Sequence, residues 1–383
     1  MRAVPDRAAY FFGPQLETLA NYYAHVIERV SAAGVRVCGY APERPPLSAG
    51  VTVTFPVERA PYEREVLSPR SLLRSMLQAW RLGRTDPEGV FTLIMTLSHL
   101  LYGIPLRMLN RRCVFLMSGI GVHFTSQRRR FRVARLFAIP VYRYLLSGRY
   151  SRVVTQNRED HDYVLRTLRA DPEKAYVMPG CGVDTNRFPF IEDLPANARP
   201  VVLVPARIVR EKGILEAVRA SEMLRQRGVG HEMWFTYGID RGNPLALSDG
   251  TLHEFAARNE QIRFLGWQPC MEPLYRACDI VCLPTYAEGL PSALLEASAC
   301  GRPIVTTDVR GCREVVTDRV TGLLVPPRSA EALASALATL IGDEGLRQRL
   351  RRNAYTQFLE RFTRDQSADA LLPAMRSLGL EVG

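Results

Sequence analysis

The chain has 383 residues, 47% of them hydrophobic and 23% charged, with 27 glycines and 26 prolines. That balance excludes a disordered or low-complexity protein, and the length suggests two domains. With 50 basic against 39 acidic residues the formal charge is +11, which calls for an anionic partner. All but two of the basic residues are arginine, the exceptions being Lys174 and Lys212. The surplus is confined to the first half: residues 1–190 hold 27 basic and 15 acidic side chains, residues 191–383 hold 23 and 24. No acidic residue lies between Glu88 and Glu159, a stretch that carries 12 arginines from Arg107 to Arg158. Nucleic acid is disfavoured as the partner, because there is no recognised binding module and little aromatic interleaving.

In chain order, Met1–Tyr10 has no apolar h-region, so no signal peptide is expected. A short strand is expected ahead of Phe12-Gly13-Pro14, then a helix over Gln15–Ala33 and a strand over Val35–Tyr40. The apolar run Val90–Leu106 falls short of the roughly 20 residues of a spanning helix and reads as a buried or interfacial helix. Cys113–Met117 reads as a strand and Arg129–Ser147 as a helix. Strand Arg152–Gln156, helix Glu159–Leu168 and strand Ala175–Met178 follow. Phe188–Arg199, with its turn formers and no clear period, is the expected linker. Beyond it the strands Pro200–Pro205, His231–Tyr237, Ile262–Leu265, Asp279–Leu283, Pro303–Thr306 and Gly322–Val325 alternate with helical patterns such as Ile214–Arg227 and Pro291–Ala299. Alternation of this kind predicts α/β architecture, with two doubly wound parallel sheets. The boundaries expected are 1–190 plus a last helix at about 365–383, and 191–364. Eight scattered cysteines with no Cys-x-x-Cys pair suit a reducing cytoplasm.

Glu288-Gly-Leu-Pro-Ser-Ala-Leu-Leu-Glu296 carries the most chemical information. Pro291 suits the first turn of a helix, so backbone N–H groups at Gly289–Ser292 are aimed outward, as an anion site requires. Glu296 then lies roughly 7.5 Å further along than Pro291, which lets two carboxylates flank a diphosphate. The plainer alternative is a loop carboxylate and a solvated helix residue. Arg207 and Lys212 follow the strand at Pro200–Pro205 and occupy the crevice where open α/β sheets bind ligands. A lysine here, in a chain with only one other, suits a compact phosphate partner, although a solvated basic loop gives the same pattern. Asp160-His161-Asp162 follows Asn157 at a helix start, where acidic side chains complement the helix dipole, so no metal is expected there.

These residues, together with Phe264-Leu-Gly-Trp267, Gly301-x-Pro303, Thr321–Pro327 and Gly180-Cys-Gly-Val-Asp-Thr-Asn-Arg-Phe188, resemble the retaining GT-B glycosyltransferases of family 4 over about residues 150–340. The resemblance implies two Rossmann-like domains facing across a cleft, with the last helix crossing back to the first domain. It implies that Arg207 and Lys212 hold the donor diphosphate, Glu296 the ribose and Glu288 the transferred sugar. Gly289, Leu290, Pro291, Ser292, Phe264 and Leu265 would complete the donor site, with Gly13 facing it from the first domain. Ser118-Gly-Ile-Gly-Val-His123-Phe124 resembles the glycine-rich acceptor loop of members that extend lipid-linked surface polysaccharides, and His123 would touch the acceptor hydroxyl or the donor sugar.

The expected function is retaining, metal-independent transfer from a UDP-type nucleotide sugar to an undecaprenyl-diphosphate-linked saccharide, with no cofactor, at the inner face of the cell membrane. A soluble acceptor, or a non-catalytic nucleotide-sugar-binding subunit of an assembly complex, are the alternatives. Helical spacing places Arg128, Arg129, Arg132, Arg135 and Arg143 within about a 120° arc, opposite Phe131, Ala134, Ala138, Val141, Tyr142 and Leu145. That arc would face an anionic membrane surface, each cation contributing about 1 kcal/mol.

Overall fold

The computed structural model describes residues 7–42, 52–62, 68–120, 129–193, 195, 197–236 and 245–382. The chain divides into two compact units, one running to Gly182 and resuming at Arg364, the other spanning Val183–Thr363. Each is built on a parallel sheet.

In the first unit the strands are β1 (Ala8–Phe12), β2 (Arg36–Ala41), β3 (Val57–Arg59), β4 (Val90–Ile94), β5 (Arg112–Met117), β6 (Ser151–Thr155) and β7 (Ala175–Val177). Their order is β3-β2-β1-β4-β5-β6-β7, a doubly wound sheet whose winding reverses between β1 and β4. β1, short as it is, pairs with β2 on one side and β4 on the other, and four of its five residues are buried. Leu16–Ala32, helical throughout with a π-turn at Leu19–Tyr23, packs on one face. The C-terminal helix Arg364–Arg376 joins it there, burying Leu371, Leu372 and Met375 in the same core as Ile27 and Val30.

The run Val90–Leu106 is not one helix. Its first five residues form β4, every one buried, and β4 pairs with both β1 and β5. A strand covered on both faces reads as a continuous apolar run, so length rather than period had to identify it. Met95, with φ of 69°, turns the chain into the helices Met95–Leu101 and Gly103–Met108. Buried His99 ties these parts together: Nε2–H donates to the Leu93 carbonyl at 3.0 Å and the Leu116 carbonyl at 3.1 Å, and Nδ1 accepts from the Tyr142 hydroxyl at 3.1 Å. Burial lowers its pKa to about 4, so the imidazole is neutral and serves as a structural pin.

The second unit has β8 (Val201–Pro205), β9 (Glu232–Thr236), β10 (Ile262–Phe264), β11 (Ile280–Leu283), β12 (Ile304–Thr307) and β13 (Leu323–Val325), in the order β10-β9-β8-β11-β12-β13. The segment expected as a linker is packed into this unit. Phe188 and Ile191 are buried in its core, and Phe190 fills the space above Gly301, where a Cβ would come within 2.3 Å of the ring. Two fully buried arginines then hold the strap by its carbonyls. Arg302 donates to the Ile191 carbonyl at 3.2 Å, and Arg351 donates to the carbonyls of Ile191, Glu192 (2.9 Å) and Gly301 (2.8 Å). The crossings between units therefore fall at Gly182–Val183 and Thr363–Arg364, where the Val183 N–H donates to the Phe362 carbonyl at 3.0 Å.

Candidate functional site

The site in the second unit is assembled at the carboxyl ends of β8 and β11. Leaving β8, the chain turns through Arg207–Lys212 and enters the helix Ile214–Gln226 at Gly213, whose φ is +70°. A Cβ at Gly213 would lie 1.9 Å from the Pro284 carbonyl oxygen, so only glycine lets this loop close on the end of β11. Two hydrogen bonds to the Glu211 carbonyl, from the Tyr286 N–H at 2.9 Å and the Thr285 hydroxyl at 3.3 Å, fasten the two loops together. That closure brings the Lys212 ammonium onto the Glu288 carboxylate, an ion pair whose side chains keep only 19% and 14% of their exposure. Arg207 is exposed.

Pro291 caps the helix Ser292–Ala299 one position earlier than its first turn, with φ −76° and ψ 110° and no side-chain cap. Gly289 and Leu290 are half-buried, and Gly311 touches this loop so closely that a Cβ there would lie 2.3 Å from the Gly289 carbonyl oxygen. Glu296 projects from the same helix and accepts from the Tyr275 hydroxyl at 2.9 Å. Burial pushes its pKa up to about 7, against the downward pull of that hydrogen bond and of Arg187. Phe264 stacks on Phe235 at 4.9 Å, and the Leu265 N–H donates to the Phe235 carbonyl at 2.8 Å, so the pair caps the end of β9 beside β8.

The remaining sequence candidates lie in the first unit. Gly13 follows β1, its N–H donating to the Tyr40 carbonyl at 2.9 Å and its carbonyl accepting from the Tyr62 hydroxyl at 3.0 Å. His123 lies outside the described residues. Asp160 has more than a helix-start role: it is 2% exposed, accepts from the Asn157 side chain at 2.9 Å, and also accepts from the Ile120 N–H at 3.2 Å. It thereby fixes the start of the glycine-rich segment. Asp162 pairs with Arg166 instead, at 3.7 Å.

The basic arc of the helix Arg129–Leu146 is also altered. Arg143 turns inward, Nε and Nη2 donating to the Thr167 carbonyl at 3.2 and 2.9 Å. Arg128, and the side chain of Arg129, lie outside the described residues. Arg132 stays exposed and Arg135 is half-buried, but the helix also exposes apolar side chains: Leu136 at 71%, Phe137 at 73% and Val133 at 49%. Sequence periodicity assigned an inner face but gave no reason to place Leu136 and Phe137 in solvent. Tyr275 and Glu272, which meet around Glu296 with Arg187, carry no local sequence signal, whereas Arg187 lies in the segment Gly180–Phe188.

Residues 187–357 match the family model described as Glycosyl transferases group 1. That match covers nearly all of the second unit, and every donor-site candidate except Gly13 lies within it. In overall fold the chain is GT-B: over 97% of its length it superposes on 99% of sucrose-phosphate synthase from Thermosynechococcus elongatus, with a TM-score of 0.78 and 19% identity. Among curated proteins it is 27% identical over 260 residues to the N,N'-diacetylbacillosaminyl-diphospho-undecaprenol alpha-1,3-N-acetylgalactosaminyltransferase of Campylobacter jejuni, covering 64% of this chain and 65% of that one. It is 30% identical over 242 residues to the D-inositol 3-phosphate glycosyltransferase of Xylanimonas cellulosilytica, covering 57% and 55%. The alignments thus span between about half and two thirds of these relatives. Among the described residues no helix is long and apolar enough to cross a membrane.

Proposed function

We propose that the protein is a retaining, metal-independent glycosyltransferase that moves a sugar from a UDP-type nucleotide donor to an undecaprenyl-diphosphate-linked saccharide, in bacterial surface polysaccharide synthesis. The observation that carries this reading is the Lys212–Glu288 pair at the start of the helix Ser292–Ala299. A lysine paired with the carboxylate just ahead of this helix N-terminus can supply what a leaving diphosphate needs, and that carboxylate can orient sugar hydroxyls. The anomeric carbon–oxygen bond to the diphosphate breaks, and the acceptor oxygen bonds to the same face of the sugar as its proton passes to the departing diphosphate oxygen. Arg207, Lys212 and the helix N-terminus stabilise the charge that develops on the diphosphate, with no protein nucleophile. The likeness to an enzyme named for a diphospho-undecaprenol substrate supports the lipid-linked acceptor. The likeness to an inositol phosphate glycosyltransferase favours a second reading, with the same donor and a soluble acceptor.

A screen of nucleotide sugars, with release of nucleoside diphosphate as the readout and NMR of the product linkage, tests both donor and stereochemistry. An inverted anomeric configuration refutes retention, and absence of turnover with every donor and acceptor favours a binding subunit. Activity that chelator abolishes and Mg²⁺ or Mn²⁺ restores refutes metal independence.

The acceptor would be reached from the inner face of the membrane, with the protein held there peripherally. Exposed Leu136 and Phe137, on a helix inside an acid-free, arginine-rich stretch, suit shallow insertion beside anionic headgroups. Changing both to glutamate should weaken sedimentation with anionic vesicles by about tenfold or more and leave donor binding unchanged. Equal sedimentation of the variant would refute this contact.

A further inference from the structure

Glu296 does not stand alone behind the donor site. The short helix Glu272–Ala277 presents Glu272 and Tyr275, three residues apart and so on one face. Tyr275 donates to Glu296, while Glu272 takes the Arg187 guanidinium through Oε1. The other oxygen of Glu272, Oε2, is buried and has no hydrogen-bond partner among the described residues, so much of its charge is left to act on its surroundings.

Arg187 is held rigidly. It follows a turn in which Asp184 accepts from the Asn186 N–H at 2.9 Å through its side chain and from the Phe188 N–H at 2.8 Å through its carbonyl. The guanidinium lies 5.2 Å from the centroid of the Phe188 ring, and Phe188 meets Tyr275 edge-on at 5.9 Å. The charges that reach Glu296 are therefore fixed and opposed: Arg187 favours its ionised form and Glu272 its protonated form. Cys300 also faces Glu296, and its thiol, pushed up to about 12 by burial, stays neutral.

We propose that Arg187 and Glu272 are opposed positioning residues that set the charge of Glu296, and through it the pH dependence of nucleotide-sugar binding. This rests on the reading of Glu296 as the ribose partner. A carboxylate accepts hydrogen bonds from both hydroxyls of a ribose only when ionised, because its protonated form gives up an acceptor position to a donor. With its pKa raised to about 7, Glu296 changes charge near neutrality, so binding strengthens as pH rises through that value and weakens below it. Tyr275, which hydrogen-bonds to the ionised form, acts in the same direction as Arg187.

The experiment is calorimetric titration of the full chain with UDP-glucose and, in parallel, GDP-mannose, from about pH 5.5 to about pH 8.5. These diphosphate diesters do not themselves titrate there. In the wild type Kd should rise about tenfold per pH unit below the break. Arg187→Gln should move the break to higher pH, and Glu272→Gln should move it to lower pH. Tyr275→Phe should follow Arg187→Gln, and Glu296→Gln should bind weakly with no break. Mere disruption of packing would move both members of the Arg187–Glu272 pair the same way, so shifts of equal sign, or no shifts, overturn the proposal. Tight binding that is flat with pH overturns it while leaving the donor-site reading intact. Binding of neither nucleotide sugar at any pH overturns both.

Discussion

Lys212→Ala should lower kcat by about 10²–10³-fold, the loss seen when one preorganised donor to a developing negative charge is removed. The ammonium pairs with Glu288, and on the proposed reading the diphosphate would bind beside that pair. Lys212 therefore acts where water is largely excluded and its charge is weakly screened. Lys212→Arg should restore only part of the rate, because a planar guanidinium cannot occupy the place of a compact ammonium. Glu288→Ala should abolish turnover with the fold intact, since it leaves the two loops tied through the Glu211 carbonyl. The measurements are single-turnover release of nucleoside diphosphate and a thermal melt of each variant. Full turnover by Glu288→Ala would remove it from the site.

Gly213→Ala should be the most damaging single-methyl change in the second unit. Two costs combine: a left-handed backbone at a residue with a Cβ, about 1–2 kcal/mol, and a collision with the Pro284 carbonyl oxygen, 1.9 Å away. That oxygen belongs to the backbone leaving β11 and cannot swing aside as a side chain would. The sum should exceed about 3 kcal/mol and lower Tm by roughly 6–12 °C for a unit of this size. Gly228→Ala is the internal control, because Gly228 has a similar φ of +75° with nothing within 4 Å. It should carry the backbone cost alone, about 1–2 kcal/mol. Equal melting temperatures for the two variants would show that the Pro284 contact relaxes freely. Loss of donor binding by Gly213→Ala beyond its loss of stability would show that the loop must sit against β11 to place Lys212.

Sequence alone determined the second unit in considerable detail, because most of its strands are short apolar runs bounded by turn residues. The stretch Ile214–Arg227 became the helix Ile214–Gln226, and Ile262–Leu265 became β10. The charge asymmetry and the lone lysine near β8 were equally legible, since both are properties of composition. β4 was not, because a central parallel strand is apolar on both faces and has no period to read. The strap Phe188–Ile191 read as a linker for a related reason: its ordering comes from Arg302 and Arg351, more than 100 residues away in sequence.

Lys212 and Glu288 were each visible beside their own strand, but their meeting depends on Gly213 closing against Pro284. Helical spacing puts Arg143 on a basic surface, but its guanidinium donates to the Thr167 carbonyl, whereas Leu136 and Phe137 stand in solvent. Glu272 and Tyr275, from one short helix, and Arg187, from a distant turn, converge on Glu296. Local sequence records which chemistry a residue can offer and the period in which it repeats. Tertiary structure decides which charges face one another across loops, because that depends on backbone closure and burial, and neither is written in the spacing of residues along the chain.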